Sequence, residues 1–148
     1  MDLRIERLDE RHLQGAARVL ISAYAEPPWS EQWTLEAAVE NVTDALEAPR
    51  SISLAAVDGG VVLGIALGIR QRRYFGRVLY LDELSVLPEA QRRGIGKALL
   101  SSIIDVAKAE GCRSVWLVSQ AEGALPEFYS RCGFDRHAGL GLYSVSTE

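Results

Sequence analysis

The stretch of residues 78–110 constrains the fold more than any other part of the sequence. It begins with a nearly unbroken apolar run, Val78–Val86, whose composition predicts a strand that Leu87-Pro88 ends. The segment Gln91–Gly96 carries arginines and two glycines and leads into a long predicted helix, which stops at Gly111. A strand followed by a short loop and a helix is typical of folds in which helices pack on a sheet.

The flanking sequence supplies the other elements of such a sheet. Glycines in Asp58-Gly59-Gly60 allow the positive φ of a hairpin turn, and Ser114–Val118 is apolar on both faces, which predicts a buried strand. The predicted order is a strand at 3–7, a helix capped by Asp9, a loop at 25–33, a helix capped by Thr34, strands at 51–57, 61–69 and 78–86, the long helix, a strand at 114–118, a helix at 125–132 and a strand or broken pair from Phe134. This order predicts an α/β fold, a single mixed sheet with helices on both faces, in one domain over residues 1–148.

Composition argues against several classes of protein. The formal net charge of −4 does not predict a nucleic-acid partner. No apolar run approaches the roughly 20 residues of a membrane span, and residues 1–6 lack the apolar core of a signal peptide, so we expect a cytoplasmic protein with no membrane partner. Cys112 and Cys132 are too few for a disulfide framework or a zinc site, and we expect no metal.

The start of the long helix predicts an anion site. The first N–H groups of a helix lack partners, its dipole is positive there, and glycines let an anion approach the backbone. A P-loop requires Ser or Thr after Gly-Lys, but Ala98 follows Lys97; a dinucleotide fingerprint requires a third glycine where Leu99 stands. A diphosphate held in another way remains, and so does a helix that merely starts with glycines, although glycine is costly inside a helix.

The segment Gln91-Arg92-Arg93-Gly94-Ile95-Gly96 resembles the Gln/Arg-x-x-Gly-x-Gly/Ala loop that binds the acyl-CoA pyrophosphate in the GNAT superfamily of N-acetyltransferases. The order of elements and the run Phe128-Tyr129-x-x-x-Gly133-Phe134 are also similar to that family. The resemblance implies a GNAT-type fold and acetyl-CoA as co-substrate. The residues that it implies for cofactor binding are Leu84, Ser85, Val86, Gln91, Arg92, Arg93, Gly94, Ile95, Gly96, Lys97, Glu122 and Tyr129.

The sequence departs from the family in the loop before the last helix. Glu122 and Leu125 stand where members often have asparagine and alanine. A non-catalytic acyl-CoA sensor is therefore an alternative to an enzyme. A nucleotide-binding domain using the same helix start is a second alternative, against which the missing Ser/Thr and third glycine argue.

Acetyl transfer to an amine requires a neutral amine and benefits from a proton for the departing thiolate. Tyr129 matches the family position whose hydroxyl acts as the general acid. Asp82 and Glu83 are adjacent carboxylates in an apolar strand, where burial raises a carboxyl pKa toward the range of a base, and alternation predicts that they face opposite sides. We expect Glu83 to be the base, with Asp82 as the second candidate.

Residues 24–33 occupy the stretch that, by the resemblance, lines the acceptor cleft in this family. Their aromatic and acidic side chains suit a cationic amine, although a loop that only covers the sheet would look the same. The predicted acceptor residues are Tyr24, Trp29, Glu31 and Trp33. We expect a small-molecule amine, with a protein amino group as the alternative, and a possible homodimer; His12 and His137 are expected at the surface.

Overall fold

The computed structural model describes residues 2–148. Most predicted elements up to residue 131 are confirmed, with ends that differ by a few residues. In chain order they are β1 (Leu3–Arg7), a 3-10 turn (Glu10–His12), α1 (Leu13–Ala25), α2 (Leu35–Glu47), β2 (Ser51–Asp58), β3 (Val61–Arg73), β4 (Gly76–Val86), a second 3-10 turn (Pro88–Ala90), α3 (Ile95–Ala109), β5 (Cys112–Trp116) and α4 (Leu125–Arg131).

The five strands form one sheet in the order β1-β2-β3-β4-β5. The first four are antiparallel neighbours, and β5 pairs with β4 in parallel after the crossover through α3. Gly59 and Gly60 have φ of 57° and 81°, as the predicted hairpin requires. The helices α1 and α2 pack on each other and on the sheet, and α3 packs against β2 to β5, which confirms the mixed α/β sheet with helices on both faces.

Local capping fixes where the first helices begin. Asp9 accepts a hydrogen bond from the Arg11 N–H at the 3-10 turn that continues into α1, and Thr34 accepts one from the Ala37 N–H at the start of α2. His12 completes the first cap because its Nδ1 accepts from the Asp9 N–H at 3.0 Å. The expectation that His12 lies at the surface is wrong, since this cap and its Glu6 partner bury the ring to 4% exposure.

The core lies between the sheet and its helices. Its largest fully buried side chains come from α1, the central strands and α3: Leu20, Ile52, Ile65, Leu67, Leu79, Ile95, Leu99, Leu100 and Ile103. None of the helices described in residues 2–148 is long and apolar enough to cross a membrane.

The last strand of the sheet is less buried than its sequence predicts. Among residues 2–148, β5 has β4 as its only neighbour in the sheet, and its Arg113 and Ser114 are exposed. Trp116 at its end is 39% exposed. The expectation of burial on both faces is wrong because apolar composition alone does not distinguish an edge strand from a central one.

Contacts divide the chain into two compact units, residues up to Val118 and Ser119–Glu148. The single domain predicted over residues 1–148, of which Met1 lies outside the described residues, stays a prediction. In the second unit α4 is the only regular element described, so the strand expected from Phe134 is wrong. Gly139 and Gly141 interrupt the apolar alternation, and a strand needs a partner for its backbone hydrogen bonds. The apolar side chains of this stretch are 79 to 92% exposed: Leu140, Leu142, Tyr143 and Val145.

Candidate active site

A β-bulge at Asp82 sets the geometry of the strand with the predicted base. Consecutive residues of β3 pair with Leu81 and Glu83, so Asp82 is an extra residue without a partner in β3. The expectation that the two carboxylates face opposite sides is wrong, because it assumed regular alternation. Both approach the Asn41 side chain on α2, which lines a cavity with Asp82 and hydrogen-bonds to Glu83.

Glu83 is half-buried and held by two hydrogen-bond donors. The Tyr24 hydroxyl donates to its Oε2, with the two oxygens 2.5 Å apart. Burial raises the pKa of Glu83 to about 7; the Tyr24 bond opposes the rise, the Asp82 charge adds to it, and the Asn41 bond opposes it. A carboxyl that is close to half ionised at neutral pH is well suited to accept and release a proton.

The predicted acceptor residues form one connected group around Tyr24. The Trp29 ring meets the Tyr24 ring edge-on, with centroids 5.3 Å apart, and the Glu31 N–H donates to the Tyr24 carbonyl at 2.7 Å. Trp33 Nε1 donates to Glu31 Oε1 at 2.7 Å. The four residues therefore order the loop onto the end of α1, and their contact with an acceptor stays a prediction.

Asp82 faces a small cavity at the bulge. The cavity measures about 180 Å³ and is lined by Asn41, Asp44, Ala45, Leu67, Gly68, Ile69 and Asp82. Partial burial raises the pKa of the Asp82 carboxyl, although the residue as a whole stays exposed. Because Asp82 is exposed, its carboxylate is better suited to attract a cation than to act as the base. The half-buried Glu83 therefore remains the stronger candidate for the base.

The neighbouring strands β4 and β5 part before β4 ends. β5 pairs with β4 only as far as Tyr80, which faces Trp116, and their rings stack with centroids 4.5 Å apart. The last six residues of β4, including the predicted cofactor residues Leu84, Ser85 and Val86, have no β5 partner. Backbone groups on that edge of β4, other than the Val86 carbonyl that the Gln91 side chain engages, are thus free to hydrogen-bond a ligand.

The predicted anion loop is open and positively charged. The Gln91 side chain donates to the Val86 carbonyl at 3.1 Å and ties the loop to the end of β4. Gly94 caps α3 from a left-handed conformation with φ of 79°, so it precedes the helix. No neighbouring atom lies within 4 Å of the position that a Gly94 Cβ would take.

The helix start has the donors that a diphosphate needs. No side chain caps α3, so its first N–H groups are free, with Ile95, Gly96 and Lys97 in the first turn. Arg92, Arg93 and Lys97 are exposed, and within residues 2–148 none of the three forms an ion pair. The segment from Gln91 to Lys97, called the cradle below, fits a diphosphate such as that of CoA.

In the second unit Tyr129 belongs to a small aromatic cluster. Its ring lies edge-on to Phe128 and Phe134, with centroids 5.2 Å and 5.7 Å away. Burial raises the pKa of its hydroxyl, and a hydrogen bond with Ser119 opposes that rise. A neutral hydroxyl of this kind can donate a proton. The predicted cofactor residue Glu122 is exposed in the preceding loop.

Sequence reasoning missed Asn41 and Trp116. Asn41 looks like an ordinary polar position of an amphipathic helix; its place one turn from Ala38 and next to the buried Val42 is the only local signal. Trp116 shows no signal at all, because its ring acquires a partner only where β5 aligns with Tyr80. No group of three His, Cys, Asp or Glu side chains in the described part of the chain is arranged to hold a metal ion.

Comparison with known proteins agrees with this geometry. Residues 17–134 match the acetyltransferase (GNAT) family. Glucosamine 6-phosphate N-acetyltransferase 1 of Oryza sativa subsp. japonica is 32% identical over 72 residues, which cover 48% of this chain and 42% of the rice protein. The chain thus matches less than half the length of that relative.

Solved structures share the fold over nearly the whole chain. Aminoglycoside N-acetyltransferase AAC(6')-Iy in complex with CoA superposes with a TM-score of 0.80 at 20% identity, covering 97% of this chain and 94% of that one. A possible acetyltransferase of Clostridium difficile 630 gives 0.84 at 14% identity, covering 99% and 98%. These likenesses establish the fold, and the family match covers most of the sequence. The chain belongs to the GNAT family of acetyltransferases.

Proposed function

We propose that the protein transfers an acetyl group from acetyl-CoA directly to an amine. The observation that carries the proposal is the course of β4. This strand presents Glu83, whose pKa is about 7, continues along an unpaired edge, and leads into the cradle at the start of α3. A base, a free backbone edge and an anion site thus follow one another within a single connected segment.

Each part of that segment has a role in the proposed reaction. Acetyl-CoA supplies an activated thioester. The cradle from Gln91 to Lys97 holds its diphosphate, and the free edge at Leu84, Ser85 and Val86 orients the acetyl carbonyl and stabilises the charge that develops on its oxygen. Glu83 accepts one proton from the acceptor ammonium, so that the neutral nitrogen forms the new N–C bond as the C–S bond breaks, and the nitrogen releases its second proton to water.

The departing thiolate needs a proton, and we assign that task to Tyr129. The assignment rests on the family resemblance and on a partly buried neutral hydroxyl within the second unit. Arg92 and Arg93, which have no carboxylate partner among residues 2–148, add charge for the cofactor phosphates. The contribution of Glu122 to cofactor binding stays a prediction.

We propose a small cationic amine as the acceptor. Glu31, Asp82 and Asp44 place negative charge around the base, and this charge attracts an ammonium and repels a phosphate. A phosphosugar such as the one named for the rice relative therefore suits this site less well than an unphosphorylated amine. The aminoglycoside N-acetyltransferase with the same fold is named for an acceptor of this class. The cytoplasmic location and the homodimer remain predictions.

A thiol-release assay tests the proposal. Purified protein with acetyl-CoA is offered a panel of diamines, aminoglycosides, glucosamine 6-phosphate and a lysine peptide, and free CoA is followed with a thiol reagent. We expect release with an unphosphorylated cationic amine. Release with the peptide alone would support protein acetylation instead.

A binding measurement separates an enzyme from a sensor. Acetyl-CoA raises the melting temperature if it binds the native state, whereas ATP with magnesium and NAD should raise it far less. A clear shift with acetyl-CoA and no thiol release with any amine would favour the acyl-CoA sensor. A larger shift with ATP would overturn the acetyl-CoA site itself.

A further inference from the structure

We propose that Tyr24 is a positioning residue for Glu83: its hydroxyl holds Oε2 and leaves Oε1 to accept the acceptor's proton. The inference rests on the proposed function, because it assigns the base a supporting partner. It gives the Tyr24 hydroxyl a task other than the predicted contact with an acceptor. The hydrogen bond that carries it joins residues 59 positions apart in sequence.

The Tyr24 ring is fixed before any ligand arrives. The residue lies in the last turn of α1, its carbonyl accepts from the Glu31 N–H, and Trp29 packs edge-on against the ring. Ser85 hydrogen-bonds to the Tyr24 hydroxyl from the strand that carries Glu83. The backbone of Tyr24 and its ring are thus both held by neighbours, which keeps the hydroxyl in one place, as a positioning group must.

Toward Glu83 the Tyr24 hydroxyl is the donor. Burial raises its pKa far above the ordinary tyrosine value, and the charge of Glu83 raises it further. It therefore stays protonated at neutral pH. A permanent donor stabilises the ionised form of the carboxylate that it contacts, so it favours the form that can act as a base.

The remaining groups around Glu83 shift its pKa in both directions. Asp82 on the same strand and Glu31 on the loop after α1 raise its pKa, whereas Asn41 on α2 lowers it, as Tyr24 does. Asp44 on α2 lines the neighbouring cavity with Asp82. Of the groups that shift the Glu83 pKa, Tyr24 and Asn41 are the side-chain donors to its carboxylate. Loss of the Tyr24 hydroxyl leaves only Asn41 of these two, so the pKa of Glu83 should rise.

Tyr24→Phe tests the inference because it keeps the ring and removes the hydroxyl. The acidic limb of the kcat/KM profile should move up by about one pH unit, which lowers the rate about tenfold at pH 6. At pH 9, where Glu83 is ionised in both proteins, the rates should agree within about twofold. Tyr74→Phe removes the hydroxyl of a 97% exposed tyrosine and should leave the profile unchanged.

A second readout does not depend on activity. Carbon-13 NMR of labelled glutamate carboxyls follows the titration of Glu83, whose resonance is assigned by its loss in Glu83→Gln. Its pKa should be higher in Tyr24→Phe than in the wild-type protein and in Tyr74→Phe. If no amine is acetylated, the proposed function fails, and this titration still decides whether Tyr24 controls the carboxyl.

Three results would overturn the positioning role. One is an unchanged Glu83 titration in Tyr24→Phe, and another is an equal loss of rate at all pH values, which indicates contact with the acceptor. If Tyr24→Phe does not fold, 3,5-difluorotyrosine at position 24 keeps the ring and hydroxyl and makes a stronger donor, which should lower the pKa of Glu83. A pKa that fails to fall would be the third.

Discussion

The surroundings of Glu83 and the cradle at the start of α3 are neighbouring regions with opposite organisation. The Glu83 carboxyl is half-buried and already engaged by Tyr24 and Asn41. The cradle leaves its cations exposed and its first helical N–H groups free. One region has its polar contacts made within the protein, whereas the other has them left for a ligand.

The difference follows from what each region has to do. Proton transfer depends on the pKa and orientation of one group, and both are fixed by permanent neighbours. Binding of a diphosphate depends on donors and charge that no protein group has neutralised. The comparison predicts that changes at Glu83 affect turnover, whereas changes in the cradle affect affinity for the cofactor.

Glu83→Gln should have the largest effect. Glutamine keeps an oxygen that can accept from Tyr24 but cannot take a proton, so kcat should fall by about 10²-fold or more. Affinity for CoA, measured by calorimetry, should not change. Glu47→Gln, at the exposed end of α2, serves as the control. Equal weakening of CoA binding in Glu83→Gln would remove the distinction between the two regions.

Gly96→Val should weaken cofactor binding and leave turnover unchanged. A branched side chain in the first turn of α3 blocks the approach of the diphosphate, and affinity for CoA should fall at least about tenfold, or about 1.4 kcal/mol. Turnover at saturating acetyl-CoA should be retained. Ala109→Val, at the other end of the same helix, introduces the same branching as a control. Gly94 is less informative because its left-handed backbone disfavours any side chain.

Tyr129→Phe tests whether a residue of the second unit takes part in the reaction. The substitution keeps the contacts of the ring with Phe128 and Phe134 and removes the proton donor. We expect kcat to fall about tenfold with little change in CoA affinity, at the low end for a general acid because a thiolate leaves readily. Thiol release at saturating substrates measures it, and wild-type turnover would reduce Tyr129 to a packing residue.

The last effect is on stability rather than on turnover or affinity. Because the pKa of Glu83 is about 7 in the folded protein and lower in the unfolded chain, the folded state binds more protons between those values. Its stability should therefore fall as the pH rises from about 4.5 to about 7. Relative to wild type, Glu83→Gln should gain about 2 kcal/mol over that range, a figure reduced for partial exposure.

Denaturant unfolding of both proteins at pH 4.5 and pH 8 measures this gain. The same substitution would then lower turnover and raise stability, as expected where a strained proton site is maintained for function. A constant difference between the two proteins across this range would mean that the Glu83 pKa is not raised.

The sequence by itself determined the features that depend on neighbours along the chain. Asp9 and Thr34 cap their helices, Gly59 and Gly60 turn their hairpin, and the glycine segment begins α3, because capping and turn geometry involve residues a few positions apart. The two candidate bases, Asp82 and Glu83, also came from a local pattern, carboxylates in an apolar strand, and the preference for Glu83 stays a prediction.

Only the tertiary structure decided what depends on alignment between distant segments. The bulge that turns Asp82 and Glu83 toward Asn41 arises from the pairing of β3 with β4, which no property of β4 alone specifies. The Tyr24 contact joins the end of a helix to a strand far along the chain, and the exposure of β5 depends on which strands lie beside it. Such contacts are set by packing of whole elements, and their energies are absent from any local stretch of sequence.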